Sequence, residues 1–253
     1  VKLTARGEIL QDYTRQIFAL VAQAENAVTD VERINAGRVS IGATPGIAVY
    51  LAPDWVQRFR AIYPHITVAL ETGVTEQIVA QVLGRHINLG FIEGELEGLD
   101  HPRLASRELA EVEQMVVVGF KHPLWDRTSI PIEVLDRQSF IVRPANSQSR
   151  AWLEKTLRRY QVEPLIGAEF DNLESIKRAV TAGRCLAVLP PYVFQNEQEQ
   201  GLIHAISVEG RPLVRTLKLI WDAEAYFSPV TRTFLEFLAS DYPLRSQIGT
   251  SDT

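Results

Sequence analysis

The chain has 253 residues, of which 46% are hydrophobic and 23% charged, and its net charge is −5. That is the composition of an ordinary folded protein with core enough for one large domain or two small ones, and the acidic balance argues against a free-standing nucleic-acid surface, which would be basic. Cys185 is the single cysteine, so no internal disulfide is expected and a reducing, cytoplasmic setting fits; no run approaches the roughly 18 apolar residues that span a membrane, and the start lacks a secretion-signal pattern.

The first predicted element is a helix from about Ala5 to Ala36. Leu10, Ile17, Ala24 and Val31 recur every seventh residue, and Tyr13, Leu20, Ala27 and Ile34 form a second row three positions after each. This is the a/d pattern of a coiled-coil seam. Gln11, Arg15, Gln23, Glu25, Asp30 and Glu32 occupy the other face, and Gly37 is a natural stop. A helix of this length is long for packing on its own domain alone. Pairing with a second copy is therefore expected, through a seam that its alanines weaken. Packing within the chain is the alternative.

After Gly37 strands and helices alternate. Val39–Ala43 reads as a strand, Tyr50–Tyr63 as a helix, Ile66–Leu70 as a strand, Glu76–Leu83 as a helix closed by Gly84, and Ile87–Ile92 as a nearly all-apolar strand. An apolar run of that length suits a buried parallel strand. Glu93 to Pro102 is predicted as an acidic loop. Met115–Gly119 and Phe140–Val142 read as strands, Ser147–Tyr160 as a helix, Phe170 as a strand end, and Leu173–Ala182 as a helix stopped by Gly183. Leu186–Leu189 and Leu217–Trp221 are further strands, and Pro229–Leu238 is the last helix, with proline in its first turn. Such alternation predicts right-handed βαβ units and an α/β fold in two similar halves.

Motifs of catalysis are missing. There is no Gly-x-Ser-x-Gly elbow, no phosphate-binding Walker loop and no Gly-x-Gly-x-x-Gly. His65, His86, His101, His122 and His204 are scattered without metal-ligand spacing. Neither a metal, a cofactor nor a catalytic residue is expected. Glu93, Glu95, Glu97 and Asp100 read as a solvated loop, Cys185 as a packed thiol, and Trp55, Phe59, Trp152 and Phe234 as core.

Several short motifs, in order, resemble the LysR-type transcriptional regulators. Leu3-Thr4-Ala5-Arg6-Gly7-Glu8 resembles the end of that family's winged helix-turn-helix, leading into its linker helix. Ile41-Gly42-Ala43-Thr44-Pro45-Gly46-Ile47, Leu51-Ala52-Pro53, Phe59 and Tyr63-Pro64 follow the opening of the effector-binding domain. Lys121-His122-Pro123-Leu124, Asn146-Ser147-Gln148-Ser149-Arg150 and Val180-Thr181-Ala182-Gly183-Arg184-Cys185-Leu186-Ala187-Val188-Leu189-Pro190 follow in family order. Two positions depart from the pattern. Asn88 stands where the family usually has aspartate, and Cys185 where it usually has glycine.

The resemblance implies two Rossmann-like subdomains joined by two crossover strands, as in periplasmic binding proteins, preceded by a long linker helix. Residues 1–37 would be the dimerisation helix. Residues 38–110 with 217–245 would form one subdomain, 111–216 the other, and 246–253 a disordered tail. The crossings are expected near Glu111–Gln114 and Leu213–Thr216. The family also implies a small-metabolite effector in the cleft, a homodimer and homotetramer, and promoter DNA read by a preceding domain absent from this sequence.

Helix starts bind anions through free N–H groups and the helix dipole. In the implied fold two such starts face the cleft. One is Thr44, Pro45, Gly46 and Ile47, and the other is Ser147, Gln148 and Ser149. Thr72 and Thr75, and Phe170 and Asn172, follow the same logic, with Thr75 as a helix cap. Arg143 and Arg150 are expected mainly in surface ion pairs. The rival readings are a transporter's solute-binding protein and an enzyme on a related scaffold.

Overall fold

The computed structural model describes residues 37–210 and 212–242, with scattered positions between Thr4 and Val21. At those scattered positions Arg6, Gly7, Leu10, Gln11, Tyr13, Thr14, Ile17, Phe18 and Val21 are helical. Gly7 N donates to Thr4 Oγ1 at 3.2 Å, as to an N-cap. Leu10, Tyr13 and Ile17 of the predicted seam are 67%, 62% and 60% exposed in the isolated chain. Leu20, Ala24, Ala27, Val31 and Ile34 lie outside the described residues, as does the tail 246–253. The chain divides into two compact units. Unit one comprises 1–92, 96–109 and 218–253, and unit two 93–95 and 110–217.

In unit one, β1 (Gly37–Ala43) is paired in parallel with β2 (Ile66–Thr72), from Gly37↔Ile66 to Ala43↔Thr72. On its other side β1 pairs in parallel with β3 (Leu89–Glu93), starting at Ile41↔Leu89. Every residue of β3 is buried; Leu89–Ile92 fall within the predicted apolar run Ile87–Ile92, whereas the burial of Glu93 was not expected. Gly90 is there because β10 (Leu213–Asp222) passes close: a Cβ at Gly90 would lie 2.6 Å from Ile220.

The single helix predicted over Tyr50–Tyr63 is two. These are α1 (Pro45–Tyr50) and α2 (Ala52–Ile62), broken at Leu51. Pro53 has no N–H for the preceding turn and crowds the carbonyl four residues back, so the helix restarts with proline in its first turn. On α2, Ala52, Trp55 and Phe59 point inward at helical spacing. Phe59 meets Phe234 of α7 (Pro229–Leu238) edge-on at 5.0 Å, and Trp55 lies 5.1 Å from Phe91. Behind the sheet α3 (Thr75–Leu83) buries Ile78, Val79 and Val82 against Ile87, Ile92 and Ile220.

After α3 the chain reverses through Arg85, which has a left-handed φ of 57°. The turn brings two polar contacts into place. Asn88 Oδ1 accepts from Ser40 N at 2.8 Å, while Asn88 N donates to Ser40 O at 2.7 Å. Asp222, only 1% exposed, takes Arg85 Nε at 3.0 Å and Arg103 Nη2 at 3.1 Å.

Unit two is built around the end of β4 (Leu104–Gly119). The strand is far longer than the predicted Met115–Gly119. Its first part is dotted with Arg107, Glu108, Glu111 and Glu113 and only partly covered, so it carries no apolar signature. From Gln114 onward burial is deeper, and β4 pairs antiparallel with β8 (Leu186–Leu189) and with β9 (Ile203–Val208). Next in order come β6 (Ser139–Val142) and the exposed strand β7 (Leu165–Glu169), both parallel to one another. Helices α4 (Gln148–Arg159) and α5 (Leu173–Ala182) lie close to their predicted bounds. Four pieces lacked a readable signal: β5 (Ser129–Ile130), the 3-10 turn Ile132–Leu135, α6 (Pro191–Glu199) and β9. The core gathers Val116, Val118, Phe140, Leu157 and Ile206.

Candidate ligand-binding site

The serine-rich start of α4 is the most developed of the predicted helix starts. Ser147 is the N-cap residue, with extended φ and ψ, yet its hydroxyl makes no bond to the first-turn N–H groups. Ser147 Oγ and Ser149 Oγ instead bond each other at 2.7 Å. The first turn holds no acidic side chain, and Arg158 and Arg159 sit in the last turn. The missing acid leaves the positive end of the dipole uncompensated by the helix's own side chains, while the two arginines offset its negative end.

A narrow pocket opens beside this start. Its polar lining is Gln114, Arg143, Ser149, Arg150 and Arg215, with Trp152 and apolar residues from β6, α5 and β8 completing the wall. Three guanidinium groups therefore meet one hydroxyl. Arg150, expected on the surface, is buried: its Nε donates to Glu154 Oε1 at 2.5 Å and its Nη1 lies 3.5 Å from Glu169 Oε1. Arg143 is half-buried and donates to the Asp171 carbonyl. Burial pulls its pKa below the ordinary arginine value, opposed by the Asp171 charge. Trp152, read as core, is only partly buried and carries the Arg215 guanidinium 5.5 Å above its ring.

Arg215 and Glu93 form a buried ion pair in unit two. Glu93 was expected in a solvated acidic loop but is 7% exposed. Its Oε1 accepts from Arg215 Nη1 at 3.0 Å and from Gln114 Nε2 at 2.9 Å, and its Oε2 accepts from the Tyr192 hydroxyl. Arg215 Nη2 donates to the Glu93 carbonyl. Gly94, at a φ of +108°, makes room for it: a Cβ there would sit 2.6 Å from Nη2. Arg215 Nε is buried without a partner. Removing either charge of such a pair leaves the other uncompensated, a loss of about 3–5 kcal/mol. The sequence held two hints of this pair. Glu93 ends an apolar strand just before a glycine, and Arg215 shares the inward phase of Leu213 and Leu217.

The other predicted positions are less concentrated. Phe170 is half-buried just past β7, with its N bonded to the Val142 carbonyl. Asn172 caps α5, its Oδ1 accepting from Glu174 N at 2.8 Å and Ser175 N at 3.3 Å, so that acceptor is already engaged. Gln148 is half-buried within the first turn of α4. In unit one, Thr44 precedes α1, with its N bonded to Phe91 O at 3.0 Å. Pro45 and Gly46 are half-buried, whereas the Ile47 side chain is wholly in the core and offers only its backbone. Thr72 is exposed at the end of β2. Thr75 does not cap α3: Val74 holds that position, with its N bonded to Gln77 Oε1 at 3.0 Å, and Thr75 is buried in the first turn. Cys185 is half-buried, its Sγ 3.2 Å from Ser139 Oγ. Among the described residues no three His, Cys, Asp or Glu side chains are grouped to hold a metal ion, and no helix is long and apolar enough to cross a membrane.

The LysR substrate binding domain matches residues 33–242. The chain belongs to the LysR family. A probable RuBisCO transcriptional regulator of Cyanophora paradoxa is 29% identical to it over 247 residues, covering 96% of this chain and 76% of that one. The CcmR regulatory domain of Synechocystis PCC6803, solved in complex with 2-PG, superposes with a TM-score of 0.73 at 24% identity, covering 81% of this chain and 97% of that one. Full-length CbnR complexed with its target DNA gives a TM-score of 0.75 at 17% identity, covering 95% and 82%. These LysR likenesses show the fold, an α/β arrangement of two subdomains of the periplasmic-binding-protein kind. What the chain carries is the ligand-sensing regulatory domain of a LysR-type transcriptional regulator.

Proposed function

We propose that the ligand sensed here is a small anionic metabolite and that the start of α4 receives its charge. The carrying observation is that Ser149, Arg143, Arg150 and Arg215 line one pocket at that helix start. Hydroxyl and guanidinium donors beside a helix N-terminus suit a carboxylate or a phosphate ester. In this reading Ser147, Gln148, Ser149, Phe170 and Asn172 are the ligand-facing set of unit two. Thr44, Pro45, Gly46, Ile47, Thr72 and Thr75 are that of unit one, with Ile47 contributing backbone. Subdomain limits of 38–110 with 217–245, and 111–216, go with it.

The chain then works by binding rather than turnover. A ligand that prefers one conformation shifts the population toward it, by no more than its differential affinity. Copies pair through the seam begun by Leu10, Tyr13 and Ile17 as homodimers and homotetramers, in the cytoplasm, and DNA is read by a domain preceding this sequence. The test is thermal melting of the chain against small carboxylates and phosphate esters. The ligand named for the Synechocystis CcmR domain, 2-PG, comes first. A true ligand at about 100 times its dissociation constant adds about 2.7 kcal/mol. The shift is expected to disappear in Ser149→Ala. No shift from any compound of the panel refutes anion sensing.

A further inference from the structure

We propose that Arg215 is the charged anchor of an oxyanion pocket in unit two, and that the Glu93 carboxylate is the pocket's own competing anion. The inference rests on the reading of α4 given above and names the groups that take the ligand's charge.

Arg215 is 8% exposed and lines the pocket beside α4. Two of its nitrogens are engaged, Nη1 by the Glu93 carboxylate and Nη2 by the Glu93 carbonyl. Its Nε is buried and donates to nothing. A buried guanidinium N–H without an acceptor is rare, because such groups are costly to strip of water. In this reading, an oxyanion entering the pocket that Arg215 lines supplies the missing acceptor. The space open to the centre of a water molecule is about 30 Å³, room for roughly one or two waters. That scale suits the head of an oxyanion whose remainder points outward. Trp152 holds the guanidinium plane from one side, and Ser149 offers a second donor on the pocket wall.

Glu93 already plays the part such a ligand would play. Its carboxylate gathers a guanidinium, an amide and a phenol, a donor set typical of anion recognition. Its charge also cancels that of Arg215, which limits the attraction felt by a second anion. Arg150 is balanced in the same way by Glu154 and Glu169. The affinity of the pocket is thus set low by internal carboxylates, and Glu93 is the one seated on the anchor. Neutralising it strengthens oxyanion binding.

The experiment is calorimetric titration of the full chain with inorganic phosphate, and in parallel with acetate. The proteins are the wild type, Glu93→Gln, Arg215→Lys, the double variant and Ser149→Ala. Arg215→Lys keeps a cation for Glu93 while removing the Nε donor, and circular dichroism melts verify that this variant, Glu93→Gln and the double variant are folded at the titration temperature. Glu93→Gln is expected to bind at least one probe about tenfold more tightly than the wild type, since a like charge within a few ångströms has been removed. The double variant is expected to lose that gain. Equal affinity in wild type and Glu93→Gln, no binding of either probe to Glu93→Gln, or binding that survives Arg215→Lys each overturns the proposal. If binding survives Arg215→Lys but vanishes in Ser149→Ala, the anion sits on the helix start alone: the sensing reading then stands and the role of Arg215 falls. A melting panel without any shift removes the sensing reading independently of this result.

Discussion

Asp222→Asn tests how much of unit one depends on a charge placed out of water. The carboxylate is 1% exposed and lies 3.0 Å from Arg85 Nε and 3.1 Å from Arg103 Nη2, whose side chains are 31% and 33% exposed. Asparagine is nearly isosteric and still accepts from Glu224 N, which Asp222 Oδ1 takes at 3.0 Å. What is lost is the charge. Breaking a fully buried pair costs about 3–5 kcal/mol, but both arginines are near the surface and regain part of their hydration. Arg103 also keeps the Leu83 carbonyl, at 2.5 Å. The expected loss is therefore about 2 kcal/mol, between the exposed and the buried limits. Urea unfolding followed by circular dichroism measures it, with an unchanged m-value as the sign that only stability moved. Because the acid itself is dry, the loss persists at about 0.5 M salt, where exposed pairs are screened. In a background with both Arg85→Gln and Arg103→Gln, the same substitution should cost little. A loss below about 0.5 kcal/mol in the wild-type background, or the same loss in both backgrounds, refutes the reasoning.

Three further outcomes follow from contacts described above. Asn88→Ala leaves Ser40 N without its side-chain acceptor and should cost about 1–2 kcal/mol, whereas Asn88→Asp, which restores the family's usual residue, stays within about 0.5 kcal/mol; chemical denaturation of the pair decides. Asn172→Ala removes the α5 cap and should cost about 1 kcal/mol, a loss that Asn172→Asp largely avoids in the same assay. His122 is 4% exposed, accepts from Leu124 N at its Nδ1, and is held by burial below its ordinary pKa of 6.5. The unfolded chain takes up that proton first, so stability is full above the ordinary value and declines as pH falls below it. Melting temperatures across that range should show a shallower acid decline in His122→Asn, and identical slopes would exclude the assignment.

The sequence made legible what periodicity records. Helices α4, α5 and α7 show an apolar stripe and a clear start or stop, and β3 lies mostly within a nearly all-apolar run, so their places were readable. The break at Leu51 was not, although Pro53 carried its cause, because the apolar residues on either side keep helical phase. The first half of β4 was hidden by charged residues that are only half covered. At the site, the serines of α4 were readable because a hydroxyl next to a helix start is a local pattern. Glu93 was not, since its burial depends on Arg215, Gln114 and Tyr192, which reach it from distant parts of the chain. Arg143 and Trp152 were misjudged in opposite directions, one as a surface charge and the other as core. Both line the pocket beside α4, where neither pattern applies.

Unit two is completed by residues 93–95, a splinter drawn from the middle of unit one's sequence. Glu93 and Arg215 are 122 positions apart, yet each is the other's counter-charge. A contiguous stretch covering 110–217 keeps β5, β6, β7, β8 and β9 with their helices and still lacks the anion its buried arginine requires. Unit two is therefore not a cassette that can be exchanged among relatives by two cuts. A chimaera joined only at its outer limits inherits Arg215 from one parent and the residue facing it from the other. Exchange of this unit by recombination is restricted to parents that agree on a three-residue segment lying outside the exchanged stretch.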